Sequence, residues 1–521
     1  MSVSLAALLV AGCGENRGGE AGGAVEAASI DKGRVTPEDL KAAVSDERVK
    51  AFYAKRGWQP VWTEELAQSL EPAFAEAERH AINPAAYRKL ASDGATPAER
   101  EAGLTRAVLD YAGALAGGIV DPAKIYEVYE VPRPKVDHLA AGFAGAVESG
   151  GVPAWLAGLA PSDPEYRALS DAYLSYRRSA ASAKPVTPIE FGGKIEKGDR
   201  DPRVPLIVEA LRANGYYQPA PPPAADAKQK QPPKAAARPS DLYTAELASA
   251  VSKLQQDYGI KPDGIIGDDT IEALSIGPAD RARILAVNLE RRRWLERTPP
   301  QTRIDVNTAA AFLTYWRDGA QAHQARVVVG QPDWETPELG SPITRLVANP
   351  PWTVPESIAE EEILPKGAAY MAKENIVMKN GRLVQEPGPK SALGLVKFDM
   401  ANKHQIYLHD TPAKALFASN ERHASHGCSR VEDAVGFARM LAADQGLTED
   451  FEEGLASGKE TGIDLKQKIP VRLLYHSAYW DGSRILFRTD PYGWDDKLAE
   501  ALGLGKQVRR RIRQKVDDIG P

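Results

Sequence analysis

Around Ile304 the hydrophobic period of the chain changes, and that change constrains the architecture more than any other feature. Ahead of it apolar residues recur at three- and four-residue spacing. Leu247, Val251, Leu254 and Tyr258 are one such set, the signature of a helix face. Behind it come short runs: RIDVN, ARVVVG, ITRLVAN, LGLVKF, QIYLH, VRLLY and RILFR. Their β-branched content and bounding turn residues predict strands, mainly antiparallel, with a few helices between them. The expected class is therefore multidomain α+β, with helical domains first and a mainly β domain last. A chain of 521 residues has room for three or four domains at about 150 residues each.

Charge and hydropathy exclude two broad classes of partner and topology. The net charge of −6 opposes nucleic-acid binding, which calls for a basic stripe. No run of 18 or more apolar residues occurs, so no spanning helix is expected. The amino terminus, MSVSLAALLVAGCGENRGGEAGGA, has a short apolar stretch followed by small residues, as an export signal does. Val10-Ala11-Gly12-Cys13 resembles the bacterial lipobox, which implies a lipid anchor through Cys13 and a periplasmic or cell-envelope location. The second of the two cysteines, Cys428, then has no disulfide partner and is a free thiol in an oxidising compartment.

Punctuation by Pro, Gly and Asp divides the rest. Residues 1–30 form the signal and a tether, and 31–190 a helical scaffold domain in which Glu38 to Ala51 reads as one helix. The aromatics of AFYAKRGWQPVW (Phe52, Tyr53, Trp58, Trp62) read as core anchors, with a binding surface as the alternative. A module follows over 195–280, split by a Pro-, Ala- and Lys-rich insert at 216–240 expected to be disordered. The segment DGIIGDDT, Asp263 to Thr270, resembles the hallmark of the small three-helix peptidoglycan-binding module; a mere helical spacer is the alternative. Residues 281–303 read as a charged linker helix. The β domain spans 304–500 with an insertion at 355–389, long enough to be a lid beside a site. A charged tail occupies 501–521.

Within the β domain, chemistry concentrates at SHGCSR, residues 425–430. Val431, Ala434, Val435, Ala438 and Leu441 fit a helix face, and Ser429 with Glu432 has capping-box spacing. That pattern places Cys428 at a helix N-terminus, beside an imidazole, where both effects favour thiolate. In QIYLHD, alternation puts Tyr407 and His409 on one face and Ile406 and Leu408 in the core. Asp410 follows, where its carboxylate or backbone can orient the imidazole.

His409 followed by Ser425-His426-Gly427-Cys428 resembles the signature of the L,D-transpeptidases, the YkuD-type domain. NPPWTVP, PGPKSALG and NKHQIYLHDTP resemble the family's long multidomain form. The resemblance implies a cell-wall acyltransferase that needs no cofactor or metal. Cys428 would attack a peptidoglycan tetrapeptide stem, release D-alanine and pass the acyl group to an amine of a neighbouring stem, giving a 3→3 cross-link. His409 would be the base, by analogy, with His426 structural or on the oxyanion side. Gly427 would shape an oxyanion hole, helped by Tyr407. Partners would be donor and acceptor stems, a membrane anchor and other cell-wall synthesis proteins, and carbapenems would acylate the thiol.

Ser425, His426, Asp410, Asn349, Trp352 and Arg430 complete the expected substrate-binding set. Trp352 is either a cleft wall or a core aromatic. Ser429 and Arg430 depart from the family's usual apolar residue and Asn, so Arg430 either grips a stem carboxylate or faces solvent. Two rival readings stand beside this one. His404, His409, His423, His426 and Cys428 could ligate zinc in an amidase or peptidase, although HExxH and CxxC elements are lacking. A wall-binding scaffold with a decayed site is the other.

Overall fold

The computed structural model of the chain describes residues 35–183, 187–218 and 240–505. The lipobox with Cys13, most of the 216–240 insert and the tail beyond 505 lie outside the described residues. Among the described residues no helix is long and apolar enough to cross a membrane.

The described residues open with helices packed on Pro97–Gly117, a helix started by sequence-local signals. Thr96 and Glu99 form a capping box, with Pro at the first turn. The stretch expected as one helix over Glu38 to Ala51 is two, Pro37–Ala43 and Glu47–Lys55. Asp46 breaks it by accepting from the backbone N–H groups of Arg48 and Val49 as a new N-cap. Phe52, Tyr53 and Trp62 are buried in this domain's core and Trp58 packs against it, so these aromatics are anchors rather than a binding surface.

The module is built from Val204–Ala213, Ala245–Asp257 and Asp268–Leu274. Leu247, Val251, Leu254 and Tyr258 all point into its core. Gly264 holds a left-handed φ of 72°, and a Cβ there would meet the Ala248 carbonyl at 2.9 Å. This explains the glycine of the D-G segment.

Pro278–Arg293 is the chief departure from expectation. Read as a linker, it is instead an interior pillar between the helical domain, the module and the β domain. Its arginines are buried because each finds partners contributed by other domains. Arg281 donates to the Tyr176, Tyr216 and Tyr258 hydroxyls and lies over their rings. Arg291 pairs with Asp495 at 2.5 Å and donates to Tyr126. Arg293 donates to the His80 carbonyl at 2.6 Å and the Tyr166 hydroxyl at 3.0 Å, besides pairing with Glu290 of its own helix.

Eight strands of the β domain close on themselves. Going round, the order is Glu338–Ala348, Thr461–Leu474, Arg303–Asn307, Phe312–Arg317, Ala320–Gly330, Ser429–Val431, Leu408–His409 and Val396–Met400. The last pairs back onto the first. Closure removes unpaired edges. The pairing is mainly antiparallel, with Leu408–His409 on Ser429–Val431 and Thr461–Leu474 on Arg303–Asn307 running parallel. Leu313, Val327, Leu346, Phe398, Leu408 and Val431 fill the interior, and helix Ala434–Asp444 adds Phe437 and Leu441.

The insertion has a body of its own. Trp352–Thr353, Ile376–Lys379 and Arg382–Gln385 make a three-stranded sheet. Trp352, Val354, Ile358, Ile363, Ile376 and Leu383 form its core, and Tyr407 of the barrel packs against them.

Candidate active site

Strand register assembles the site. Leu408 pairs with Ser429 and His409 with Arg430 in parallel, while His409 stands opposite Lys397 on the other side. Paired residues share a face, so Lys397, His409 and Arg430 form one row on the outside of the barrel. Leu408 and Phe398 form the row pointing inward. The ladder continues one step, with Ser429 N–H donating to the Tyr407 carbonyl at 3.1 Å. Tyr407 thus shares the outer face with His409, as the alternation in QIYLHD predicts. Its ring meets the imidazole edge-on with centroids 5.7 Å apart.

The nucleophile candidate lies where that ladder frays. Cys428 is 4% exposed and its thiol donates to the Gln405 carbonyl at 3.6 Å. Gln405 holds a left-handed φ of 57° because Asn402 braces its turn. The Asn402 side chain accepts from the backbone of His404 and Ile406 and donates to the Ile406 carbonyl at 2.7 Å. Burial pushes the Cys428 thiol up to about 11. Opposing it are hydrogen bonds from the Tyr407 backbone and phenol and the nearby charges of Arg430 and Lys397. Burial also holds the Tyr407 phenol well above its usual value, next to that thiol and the Trp352 indole.

The helix expected to start at Ser429 does not. Ser429–Val431 is a strand, and the helix begins at Ala434 behind Asp433, whose side chain caps Gly436. Glu432 pairs with Arg326 rather than closing a capping box. Cys428 therefore receives nothing from a helix N-terminus, and its cationic surroundings are side chains.

Each remaining residue has a definite place. The His409 imidazole is fully buried, with Nδ1 2.5 Å from the Asp410 carbonyl. A carbonyl only accepts, so Nδ1 carries a proton, and in the neutral ring the lone pair falls on Nε2. The backbone of Asp410 thus orients the ring, while its buried carboxylate accepts from the Leu395 N–H at 2.9 Å and pairs with Lys414. This corrects the expectation that Asp410 binds substrate. Gly427 holds φ 110°, its carbonyl accepts from Thr336 Oγ1 at 2.7 Å, and its N–H donates to Ser425 Oγ at 3.2 Å. In this state that N–H is taken and forms no oxyanion hole.

Ser425 is a buried staple, not a substrate ligand, because its Oγ also donates to the Cys428 carbonyl at 2.6 Å. Asn349 is likewise structural. Its amide donates to the Gly454 and Leu455 carbonyls at 3.0 and 3.1 Å, at the end of helix Thr448–Ala456. Trp352 is the core aromatic of the insertion, 1% exposed. Arg430 is buried, which rules out the solvent-facing alternative. His426 donates from Nε2 to the Glu362 carboxylate at 2.6 Å and meets Trp334 edge-on.

The histidines do not converge on a metal. His404 bonds Glu130, His423 bonds Glu421 and the Thr308 carbonyl, and His409 and His426 are engaged as described. His423 is buried. Among the described residues no group of three or more His, Cys, Asp or Glu side chains is placed to hold a metal ion.

Lys397, Gln405 and Glu362 were not singled out from sequence. For Lys397 the signal was present, since alternation in VKF sets it opposite Val396 and Phe398. Gln405 acts through its backbone, and Glu362 reaches His426 from 64 residues up the chain, so neither leaves a local trace.

Comparison with known proteins matches three regions. Residues 47–172 match a "Scaffold domain", 200–274 a "Putative peptidoglycan binding domain" and 301–454 the "L,D-transpeptidase catalytic domain". A curated protein of Haemophilus influenzae named "Putative L,D-transpeptidase" is 34% identical over 219 residues, 37% of this chain and 45% of that protein. The chain therefore spans about half the length of that relative. Solved L,D-transpeptidases from Xylanimonas cellulosilytica and Stackebrandtia nassauensis are 15% and 14% identical. Each alignment covers 55% of this chain, and 98% and 97% of the solved chains, with TM-scores of 0.17 and 0.22. The family matches, set beside the barrel and its thiol, show that the chain carries an L,D-transpeptidase catalytic domain behind a peptidoglycan-binding domain.

Proposed function

We propose that this chain is a cell-envelope L,D-transpeptidase that forms 3→3 cross-links between peptidoglycan stems through a Cys428 thioester. The observation that carries the reading is the Tyr407 side chain, which bonds the Cys428 sulfur and meets the His409 ring edge-on, with the imidazole tautomer set by the Asp410 carbonyl. A neutral imidazole with its lone pair on Nε2 is a base able to take the thiol proton. Lys397 and Arg430 lower the cost of the thiolate that results. Sulfur attacks the stem carbonyl, the C–N bond to the terminal D-alanine breaks, and the proton held by His409 passes to the leaving amine. An amine of a second stem then displaces the sulfur.

Burial is what holds the thiol protonated here. With a value near 11, only about one thiol in ten thousand is ionised at pH 7. The structure is thus a closed, resting form in this reading, and donor binding opens a path to the sulfur. The module would position the strand whose stems are joined. Incubating the protein with purified tetrapeptide stems tests the reading by mass spectrometry. D-alanine and cross-linked dimers are expected from the wild type and neither from Cys428→Ala; activity surviving in that variant would overturn it.

A further inference from the structure

The catalytic loop and the insertion are joined by a carboxylate–imidazole bond that the chemistry above does not use. Glu362 belongs to the turn Ala359–Ile363, a π-helical segment of the kind that recurs at functional sites. Its Oε1 lies 2.6 Å from Nε2 of His426. His426 is two residues from the nucleophile, so the two Cα atoms are at most about 7 Å apart. The imidazole side chain is 3% exposed and the carboxylate 28%, so Glu362 is the member of the pair that an incoming molecule can reach. One of its oxygens holds His426, and a carboxylate has about four acceptor sites.

The charges nearest the sulfur have the other sign. Lys397 and Arg430 stand on the barrel face beside the sulfur. A donor stem ends in a carboxylate and is drawn to that face. An acceptor stem brings an ammonium group, which both cations repel.

We infer that Glu362, pinned by His426, is the specificity-determining residue that receives the acceptor ammonium and sorts acceptor from donor across the thiol. This rests on the transpeptidase reading. The ammonium gives one proton to the Glu362–His426 pair, which later loses it to solvent. The free amine attacks the thioester carbonyl, so that a C–N bond forms and the C–S bond breaks. A second amine proton passes to the departing sulfur, restoring the thiol and leaving an amide. His426 acts as a positioning residue, and water, which needs no anionic subsite, can replace the amine and give a trimmed stem.

The test is the product ratio from tetrapeptide stems for full-length wild type, Glu362→Gln and Glu360→Gln, the last being an exposed neighbour on the same turn. The ratio of cross-linked dimer to trimmed tripeptide is expected to fall about tenfold or more in Glu362→Gln, as loss of a charge-assisted hydrogen bond implies. Raising the acceptor concentration should partly restore it, and Glu360→Gln should keep the wild-type ratio. An unchanged ratio in Glu362→Gln would overturn the inference and leave the pair a mechanical latch; an equal fall in Glu360→Gln would overturn it too. Absence of D-alanine release from the wild type would instead sink the transpeptidase reading itself.

Discussion

The thiol of Cys428 points its proton at the carbonyl of Gln405, 3.6 Å away, and not at a carboxylate or a helix terminus. In this arrangement sulfur is a donor, and its reactivity is governed by its burial.

Alkylation of the resting protein should therefore be slow at neutral pH. Iodoacetamide modification, followed by intact mass, is expected to accelerate about tenfold per pH unit from pH 7 and to level off near 11. A plateau near pH 7 would show an already ionised thiol.

Tyr407→Phe removes the phenol that bonds to the sulfur without changing the ring that packs against the insertion core. Donor acylation in a single turnover should slow about tenfold, one charge-assisted hydrogen bond's worth, and its pH profile should shift upward. An unaltered profile would remove the phenol from the mechanism.

Carbapenems should acylate Cys428, adding their mass to the wild type and nothing to Cys428→Ala. His409→Gln should form the same adduct about a hundredfold more slowly, the usual scale of general-base loss. Equal rates in the wild type and His409→Gln would mean that another group takes the proton.

Asn349→Ala tests a correction. The side-chain amide satisfies carbonyls at the end of helix Thr448–Ala456, and the backbone holds φ 48°, where Asn is better tolerated than Ala. Stability should fall by about 2–3 kcal/mol in urea titration, while the KM for donor stems stays within about twofold. A large KM change would return Asn349 to the substrate cleft.

Glu338 offers a pH signature away from the site. Burial raises its carboxyl from 4.5 to about 7, against the pull of Arg291. Because the folded value is the higher, its contribution is complete below pH 4.5 and is lost as the pH rises to about 7. Glu338→Gln has no such loss. The variant should gain on the wild type across that window, by up to about 3 kcal/mol, in chemical denaturation at pH 4.5 and 8. A constant difference at both pH values would show that the carboxyl is already ionised in the folded protein.

Alternation and turn residues were enough to find the strands Leu408–His409 and Val396–Met400, because each follows from neighbours a few residues apart. Ser429 misled for a physical reason. S-x-x-E spacing promises a cap, but pairing of Arg430 and Val431 with Val328 and Val327 outcompetes it, and Glu432 finds a better partner in Arg326. Asn349, Ser425 and Asp410 carry polar side chains in a motif-rich region, yet all three are spent on backbone groups or an ion pair that a linear sequence does not display. The pillar Pro278–Arg293 reads as a charged linker because its partners, from Tyr126 to Asp495, lie far away in the chain.

That pillar has a consequence for anyone who would cut this protein apart. Asn288 bonds Ser477 at 2.8 Å, Ser477 bonds Asp495 at 2.5 Å, and Arg291 neutralises Asp495. A fragment begun at residue 301, where the catalytic family match starts, would strand that aspartate without its counter-charge. The boundary drawn by sequence similarity is thus not a seam along which the molecule can be divided, and a functional truncation would have to keep the helix that similarity leaves out.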